Sequence, residues 1–542
     1  MKRLMNLKKV RRFAAISLAL TAFAFSGCND TGDDVSKDMD ATALQSGPQQ
    51  CHGGHFENHG SPYVKIRSGW LKGKIVGDTT EFLGIPYAKP PVGNLRFAPP
   101  QPVKPWKGIL EATEYGLACT QASNPGFPTP PNGEDCLLLN VFKPTDARTG
   151  DKLPVMVFIH GGAFIGGSGS DMQQLSEVGD VIGVSMNYRL GALGFLAHPE
   201  IDAHRRRHVP SGNDGLRDQQ LALKWVKKNI RAFGGDPNNV TIFGESAGSM
   251  STCIQMVSPS AKNLANRFIM ESASCVGIMP GGFMVYNKEE VDVIGSALVD
   301  ELCAGEADVM ACLRALPAET LIAWGQNLGM FGPGWGPSYN PVDHFLPASP
   351  KDMIASGRYN KGEVIVGTNK NEWGIFMPQP ILSIDEFNTQ VDMNFGPFGV
   401  ADAIKSHYVV NSDFEANNVF IRLMSDRTFR CPARTLARAI SEQGSTAYLY
   451  HFEEAPAFHA FELPYVFGAM DGFPPNVESL QTTMQSYWTE FAETGDPNVS
   501  GQPVWAQYDI DSDNHMILKA VSEPGSNLAE DDCDFLNALF GI

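Results

Sequence analysis

Residues 240–257 constrain the fold more than any other stretch of this chain. Val240–Phe243 is a short apolar run of the kind that forms a buried strand, and Met250–Val257 can be helical. Between them lies the pentapeptide Gly244-Glu-Ser-Ala-Gly248. A strand, a tight G-x-S-x-G turn and a helix together form a nucleophile elbow, which holds its serine in a strained conformation clear of the sheet. The pentapeptide alone would also fit an ordinary glycine-rich turn, but the flanking strand and helix favour the elbow.

Strands and helices alternate around this stretch. Leu153–His160 is a continuous apolar run, typical of a central strand that is buried on both faces. Leu216–Arg231 has the apolar spacing of a helix. Further strands are predicted at Tyr63–Ile66, Gly69–Leu71, Lys74–Val76, Glu134–Phe142, Asp180–Ser185, Arg267–Met270, Val364–Gly367 and Ala447–Phe452, with several helices between Glu386 and Ala439 and a surface helix at Ser479–Glu493. This alternation predicts an α/β fold with a parallel sheet.

A serine nucleophile needs a base that takes its proton and an acid that orients the base. With this elbow the chain order is serine, acid and then histidine, and the histidine follows a late strand. The histidines that follow the elbow in candidate positions are His344, His407, His451, His459 and His515. His451 lies inside a predicted strand, whereas His459 follows that strand by a short loop, so position favours His459. Glu372 follows the predicted strand Val364–Gly367, and Asp343 is its rival on position alone.

Backbone N–H groups near the elbow are candidates for an oxyanion hole. Gly161 and Gly162 follow a predicted central strand, and glycines let the backbone approach a developing alkoxide. Ala247 supplies the N–H group directly after the nucleophile. Taken alone, the segment His160–Phe164 would equally fit a plain glycine turn.

The N-terminus predicts export. Residues 1–27 combine a basic start with an apolar stretch, Phe13–Phe25, that is too short to span a bilayer, so they resemble a signal peptide. The segment ends at Ser26-Gly-Cys28, which resembles a bacterial lipobox and makes Cys28 a candidate for lipidation. The alternative is plain secretion after cleavage by another signal peptidase. Residues 28–60 are polar and predict a flexible tether to a single domain at residues 61–542.

Charge limits the partners that this chain can bind. The formal net charge is −18, and removal of residues 1–27 removes six basic residues and no acidic one. Such acidity disfavours nucleic acid and anionic membrane surfaces as partners. Apart from the signal peptide, no stretch has the sequence of a transmembrane helix, so membrane association is expected only through a lipid anchor.

The ten cysteines fit an exported protein. Cys119 and Cys136 bracket one loop, and Cys303 and Cys312 bracket another, so both pairs are candidate disulfides. The other cysteines are interpreted as buried free thiols: Cys51, Cys253, Cys275, Cys431 and Cys533. The segment Cys51–His59 has ligand types that suit a metal, but a disordered tail is the stronger interpretation, and no metal or other cofactor is expected.

An ordered set of motifs resembles one known family, the type-B carboxylesterases and lipases, which include cholinesterases. The motifs are Phe82-x-Gly-Ile-Pro-Tyr-Ala88, Pro90-Pro-Val-Gly93, Leu95-Arg-Phe97, Glu134-Asp-Cys-Leu137, His160-Gly-Gly-Ala-Phe164, Asn187-Tyr-Arg189, Gly194-Phe-Leu196, Gly212-Asn213, Gly215-Leu216, Asp218-Gln219, Asn229-Ile230, Phe233-Gly-Gly-Asp-Pro237 and Gly244-Glu-Ser-Ala-Gly248. The resemblance extends from about Ser61 to the C-terminus and is dense to about residue 275. It implies an α/β-hydrolase fold: a large, mostly parallel sheet flanked by helices, with sizeable loop and helical insertions.

The resemblance also implies roles for single residues. Ser246, Glu372 and His459 match the family's catalytic triad, although Trp373 and Ala460 stand where the family usually has glycine. The disulfides Cys119–Cys136 and Cys303–Cys312 carry over from the family. Two ion pairs and a residue near the acid also carry over: Arg96–Glu134, Arg189–Asp218 and Ser272.

The sequence therefore predicts an exported bacterial serine carboxylester hydrolase that forms an acyl-enzyme on Ser246. Its partner would be a small-molecule or lipid ester, and the oligomeric state is not determined by the sequence. A lipase is an alternative, because Phe127, Phe331 and Trp335 lie in loops that could form a lid. An amide hydrolase and a non-catalytic adhesion module are further alternatives. The loop from Cys119 to Cys136 contains no tryptophan, which disfavours a choline-ester specialist.

Overall fold

An eleven-stranded mixed sheet is the frame of the protein. The computed structural model describes residues 61–122, 129–276, 285–326, 333–377, 379–468 and 477–540. The strands are β1 (Tyr63–Ile66), β2 (Gly69–Lys72), β3 (Lys74–Val76), β4 (Thr79–Pro86), β5 (Ile109–Glu111), β6 (Ala118–Cys119), β7 (Asn132–Gly133), β8 (Leu138–Pro144), β9 (Leu153–Ile159), β10 (Ile182–Met186), β11 (Gly235–Glu245), β12 (Arg267–Glu271), β13 (Tyr286–Asn287), β14 (Ser338–Tyr339), β15 (Glu363–Asn369), β16 (Ala447–Phe452), β17 (Asn514–Leu518) and β18 (Glu523–Ser526). The spatial order in the large sheet is β18-β17-β16-β15-β12-β11-β9-β10-β8-β4-β3.

The centre of this sheet is parallel and its edges are antiparallel. Strands β10, β9, β11, β12, β15, β16 and β17 run parallel, whereas β3, β4, β8 and β18 pair antiparallel. The α/β-hydrolase fold predicted from the sequence is confirmed. The first three strands are divided between two sheets, since β1 and β2 pair with β5 in a separate sheet while β3 pairs with β4 at the edge of the large one.

Helices cover both faces of the sheet. They are α1 (Gln173–Gly179), α2 (Gly191–Phe195), α3 (Pro199–Ala203), α4 (Asp214–Asn229), α5 (Ala247–Val257), α6 (Lys288–Leu302), α7 (Val309–Ala315), α8 (Ala318–Ala323), α9 (Pro350–Ala355), α10 (Ile384–Phe395), α11 (Ala401–His407), α12 (Asp413–Ser425), α13 (Cys431–Glu442), α14 (Leu463–Phe467), α15 (Glu478–Thr494) and α16 (Glu530–Phe540). Asp426–Arg430, between α12 and α13, is a π-helical turn. None of the helices in the described part of the chain combines the length and apolarity that a bilayer crossing requires.

Alternate residues of the central strands build two apolar cores. On β11, Ile242 belongs to the core on one face and Phe243 to the core on the other. Helix α15 was expected to be a surface helix, but it buries Tyr487, Trp488 and Phe491 in the second core. Its polar residues had suggested exposure, whereas its aromatic side is packed against the sheet. A third apolar cluster joins α10, α11, α12 and α16.

Four disulfides cross-link the described residues. Cys119–Cys136 and Cys303–Cys312 have the predicted pairing. The expectation of free thiols was wrong for four cysteines, which form the disulfides Cys253–Cys275 and Cys431–Cys533. Their separations of 22 and 102 residues gave no local signal, because α5 packing on β12 and α16 packing beside the π-helical turn bring them together. Cys28 and Cys51 lie outside the described residues. Four disulfides indicate an oxidising, extracytoplasmic compartment.

Candidate active site

Ser246 sits at the sharp turn between β11 and α5. Its backbone has φ 58° and ψ −123°, a conformation that costs energy for any residue except glycine. A Cβ on Gly244 would lie 2.5 Å from the Ile159 carbonyl oxygen, and one on Gly248 would lie 1.9 Å from the same atom. The two flanking glycines are therefore required by close contact with the neighbouring strand. The turn has the geometry of a nucleophile elbow.

Glu372 and His459 are in direct contact. Glu372 follows β15, is fully buried, and places Oε2 2.6 Å from Nδ1 of His459. Its other oxygen, Oε1, accepts a hydrogen bond of 2.7 Å from the Asn369 backbone N–H. The rival acid, Asp343, instead forms a bidentate ion pair with Arg217 at 2.7 and 2.8 Å. The structure thus brings together the acid and histidine that the sequence favoured.

A strained loop and two aromatic rings fix the position of His459. The neighbouring residues Ala457 and Ala460 have φ values of 52° and 65°. The rings of Phe376 and Phe429 lie 5.0 and 4.7 Å from the imidazole. The left-handed φ of Ala460 explains why the resembling family usually has glycine there. Trp373, the other departure from the family, needs no glycine because its φ is not positive.

The remaining candidate histidines have other surroundings. His451 is buried within β16, as expected, and His515 is buried on β17. His344 stacks on His208 with ring centroids 4.4 Å apart. His407 lies 2.9 Å from Asp532. None of them contacts Glu372 among the described residues.

The predicted oxyanion-hole segment runs beside the nucleophile. A Cβ on Gly161 would lie 3.0 Å from Ser246 Cβ, which places this backbone against the elbow. Gly162 has φ 99°, and Ala247 is the first residue of α5, where a helical N–H group has no partner within the helix. His160 stacks on Tyr188, and burial lowers the pKa of His160 to about 4. The His160 imidazole, at the start of this segment, is therefore neutral at neutral pH.

Sequence reasoning did not single out Glu245, the residue before the nucleophile. Its Oε1 lies 3.0 Å from Nε2 of His459, while Ser246 Oγ makes no hydrogen bond among the described residues. Burial on its own would lower the pKa of His459, but Glu245 and Glu372 outweigh it and raise this pKa well above its ordinary value. The available signal was the position of Glu245 in the sequence, directly before the elbow serine.

Two further buried carboxyl groups lie beneath the site. Glu462 accepts a hydrogen bond of 3.3 Å from Ser272 Oγ, so Ser272 contacts Glu462 and not the acid Glu372. Glu271 ends β12, and its backbone oxygen accepts a 2.9 Å hydrogen bond from Ser246 N–H. Both side chains are fully buried. Their sequence positions carried no signal, because sheet register places Glu271 there and the fold of the segment between β16 and α14 places Glu462 there.

The two expected ion pairs are present away from the reacting atoms. Arg96 Nε donates to Glu134 at 2.7 Å, and Arg189 donates two hydrogen bonds of 2.7 Å to Asp218. Both arginines are nine-tenths or more buried. Arg96–Glu134 joins two loops, and Arg189–Asp218 joins a loop to α4, so both pairs have a structural role.

The sequence also suggested residues for a lid and for a metal site. Trp335 is buried against Trp324, with ring centroids 5.9 Å apart, and so does not form an exposed lid surface. Phe127, Phe331 and the candidate metal segment Cys51–His59 lie outside the described residues. Among the described residues there is no group of three or more histidine, cysteine or acidic side chains arranged to hold a metal ion.

Comparisons with known proteins show which family this chain belongs to. The sequence profile described as "Carboxylesterase family" matches residues 60–536. The para-nitrobenzyl esterase of Bacillus subtilis (strain 168) is 35% identical over 486 residues, which cover 84% of this chain and 94% of that protein. The human cocaine esterase is 32% identical, over 84% of this chain and 88% of that protein. A solved structure of a PNB esterase superposes with a TM-score of 0.76 at 34% identity, over 88% of this chain and 99% of the other. The chain therefore belongs to the type-B carboxylesterase family and is a carboxylic ester hydrolase.

Proposed function

We propose that Ser246, His459 and Glu372 are the nucleophile, base and acid of this esterase. The observation that carries the assignment is the 2.6 Å contact between Glu372 Oε2 and His459 Nδ1, beside a serine held at φ 58°. A carboxylate on Nδ1 leaves Nε2 as the nitrogen that exchanges protons with serine.

The reaction follows from these positions. Ser246 Oγ attacks the ester carbonyl carbon while His459 Nε2 takes the hydroxyl proton. The N–H groups of Gly161, Gly162 and Ala247 bind the oxyanion. His459 then protonates the leaving alcohol, and a water molecule that gives its proton to His459 attacks the acyl-enzyme. The carboxylic acid product leaves as His459 returns the proton to Ser246 Oγ. Glu372 orients the imidazole throughout.

Hydrolysis of p-nitrophenyl esters from acetyl to palmitoyl tests the assignment. Ser246→Ala should lose turnover by at least about 10³-fold at every chain length, as should His459→Gln. Glu372→Gln should lose a comparable factor because the imidazole is no longer held in the correct tautomer. Undiminished turnover by folded Ser246→Ala would refute the assignment. A wild-type rate that rises with chain length and with an emulsified interface would favour a lipase, and turnover of anilides alone would favour an amidase.

We also propose that the enzyme is an exported bacterial lipoprotein. Residues 1–27 would be the signal peptide, Cys28 the lipidated residue, residues 28–60 a tether, and residues 61–542 the catalytic domain. The basic and apolar start of the chain and the four disulfides support this organisation. Cys28→Ser should move the enzyme from the membrane fraction to the soluble fraction, whereas an unchanged soluble distribution would indicate plain secretion.

A further inference from the structure

A row of side chains crosses four parallel strands directly beneath the site. The strand register pairs Glu245 with Glu271, Glu271 with Gly367, and Gly367 with Tyr450. Register partners on neighbouring parallel strands leave the sheet on the same face, with strands about 4.8 Å apart. Gly367 has no side chain, and a Cβ there would lie 2.1 Å from Tyr450 Cδ1, so the tyrosine ring fills that place. The row therefore puts two carboxyl groups next to each other in a closed space.

Two more carboxyl groups complete a buried cluster. Glu372 and Glu462 come from the loops that follow β15 and β16, and both are fully buried, as is Glu271. Glu245 is 4% exposed. Two further titratable side chains face them: His459 and Tyr450, whose hydroxyl has no hydrogen-bond partner among the described residues. We call Glu245, Glu271, Glu372 and Glu462 the carboxyl cluster.

The four acidic side chains of the carboxyl cluster have few basic side chains to pair with. Among the described residues, His459 is the only cation-forming side chain in ion-pair contact with any of the four, and it touches Glu245 and Glu372 alone. A buried charge without a partner is strongly unfavourable. A cluster with one imidazole therefore cannot hold four carboxylates.

The hydrogen bonds show which members lack a charged partner. Glu271 Oε1 accepts a 2.5 Å hydrogen bond from Trp488 Nε1, and its Oε2 has no partner among the described residues. Glu462 accepts from the neutral groups of Ser272 and Asn369. Burial and the neighbouring carboxylates raise the pKa of Glu462 to about 8, and burial with Glu462 and Glu245 raises the pKa of Glu271 well above its ordinary value.

We propose that Glu271 and Glu462 are neutral carboxylic acids in the working enzyme, and that they act as positioning residues which confine the negative charge near His459 to Glu245 and Glu372. The proposal rests on the assignment of His459 as the base. Each additional carboxylate would stabilise the imidazolium further. Each further ionised carboxylate would raise the pKa of His459 still higher and leave less neutral imidazole to accept the serine proton. Two neutral acids fill the same space without adding to the rise that Glu245 and Glu372 already cause.

The first test is the pH profile of kcat/KM for p-nitrophenyl acetate, measured with the full-length enzyme. Glu271→Gln and Glu462→Gln exchange a neutral acid for a neutral amide of the same shape, so the midpoint of the acid limb should not move. Glu245→Gln is the comparison, because loss of a carboxylate from His459 should move this midpoint down by about one pH unit or more. A downward shift of similar size in Glu271→Gln or Glu462→Gln would overturn the proposal for that residue.

The second test uses infrared spectroscopy and does not depend on activity. At pH 7 the wild type should show carbonyl bands of protonated glutamic acid, identified by their shift after labelling with ¹³C-glutamate. One band should disappear in Glu271→Gln and another in Glu462→Gln. If either variant fails to fold, the labelled wild type alone decides, since absence of protonated glutamic acid at pH 7 refutes the proposal. Failure of the proposed function would instead appear as turnover by Ser246→Ala, with these bands unchanged.

Discussion

At the scale of single residues, the site depends on positions where neighbouring backbone leaves no room for a side chain. Gly248 lies so close to β9 that a Cβ would overlap the Ile159 carbonyl. Ala460 tolerates φ 65° at a position where glycine would be less strained. The first requirement is absolute because backbone blocks the space, whereas the second is a modest conformational cost that an alanine can bear.

Gly248→Ala should therefore disable the enzyme. Its Cβ would lie 1.9 Å from a backbone oxygen that cannot move without displacing β9, so we expect a loss of about 3 kcal/mol in the free energy of unfolding and loss of esterase turnover. Urea denaturation and p-nitrophenyl acetate hydrolysis measure the two effects. Gly396→Ala is the control, because it has helical φ and nothing within 4 Å, and it should keep full activity. Equal behaviour of the two variants would contradict this explanation of the elbow.

At the scale of secondary structure, the π-helical turn Asp426–Arg430 contacts both His459 and the segment that carries Glu372. Arg430 forms an ion pair with Asp426 and donates a 2.8 Å hydrogen bond to the Lys370 carbonyl, two residues before Glu372. Phe429 from the same turn packs on His459. π-Helical turns occur frequently at functional sites, and this one contributes two side chains, Phe429 and Arg430, that contact the site or the loop beside it.

Arg430→Gln should lower kcat more than it changes KM. The loop that carries Glu372 would lose one of its fixed points, and small displacements of a catalytic group cost about 10- to 100-fold in rate. Steady-state kinetics with p-nitrophenyl acetate give both constants, and circular dichroism reports folding. Arg438→Gln removes an exposed arginine that lies 3.8 Å from Glu442 on α13, and it should leave both constants unchanged. A folded Arg430→Gln enzyme with normal kcat would show that the turn only stabilises the fold.

At the scale of the whole molecule, disulfides connect segments that are distant in the chain. Cys431–Cys533 ties the start of α13 to α16 across 102 residues, whereas Cys303–Cys312 closes a separation of 9. In the chain-entropy model a cross-link stabilises by restricting the unfolded chain, and the effect grows with the length of the closed loop. The long-range bridge is thus the more important one for stability.

Replacing both cysteines of a bridge by serine tests this ranking. Loss of Cys431–Cys533 should cost about 5 kcal/mol and loss of Cys303–Cys312 about 2–3 kcal/mol in the chain-entropy model. Guanidinium unfolding of the two double variants measures the difference under identical conditions. Equal losses, or a greater loss at the short loop, would mean that local packing and not chain entropy sets the contribution of each bridge.

The sequence by itself determined the features that depend on local chemistry. An α/β fold with a parallel sheet followed from the continuous apolar runs and their alternation with helices, because burial on both faces needs such runs. The resemblance to the type-B carboxylesterases implied the α/β-hydrolase form of that fold. The elbow at Ser246 followed from two glycines around one serine. Chain order and short-loop spacing favoured His459, and the family resemblance chose Glu372 over its rival Asp343. The two short disulfide loops were evident from the cysteines that bracket them.

Only the tertiary structure decided what depends on sheet register and on packing between distant segments. Glu271 joined Glu245 beneath the site because parallel strands aligned them, and Glu462 reached the same place from the segment between β16 and α14. No spacing along the chain encodes that proximity. The bridges Cys253–Cys275 and Cys431–Cys533 and the buried aromatic side of α15 arose in the same way. Local patterns report which residues are apolar, flexible or reactive, whereas proximity across the fold is created when the sheet and its covering helices pack.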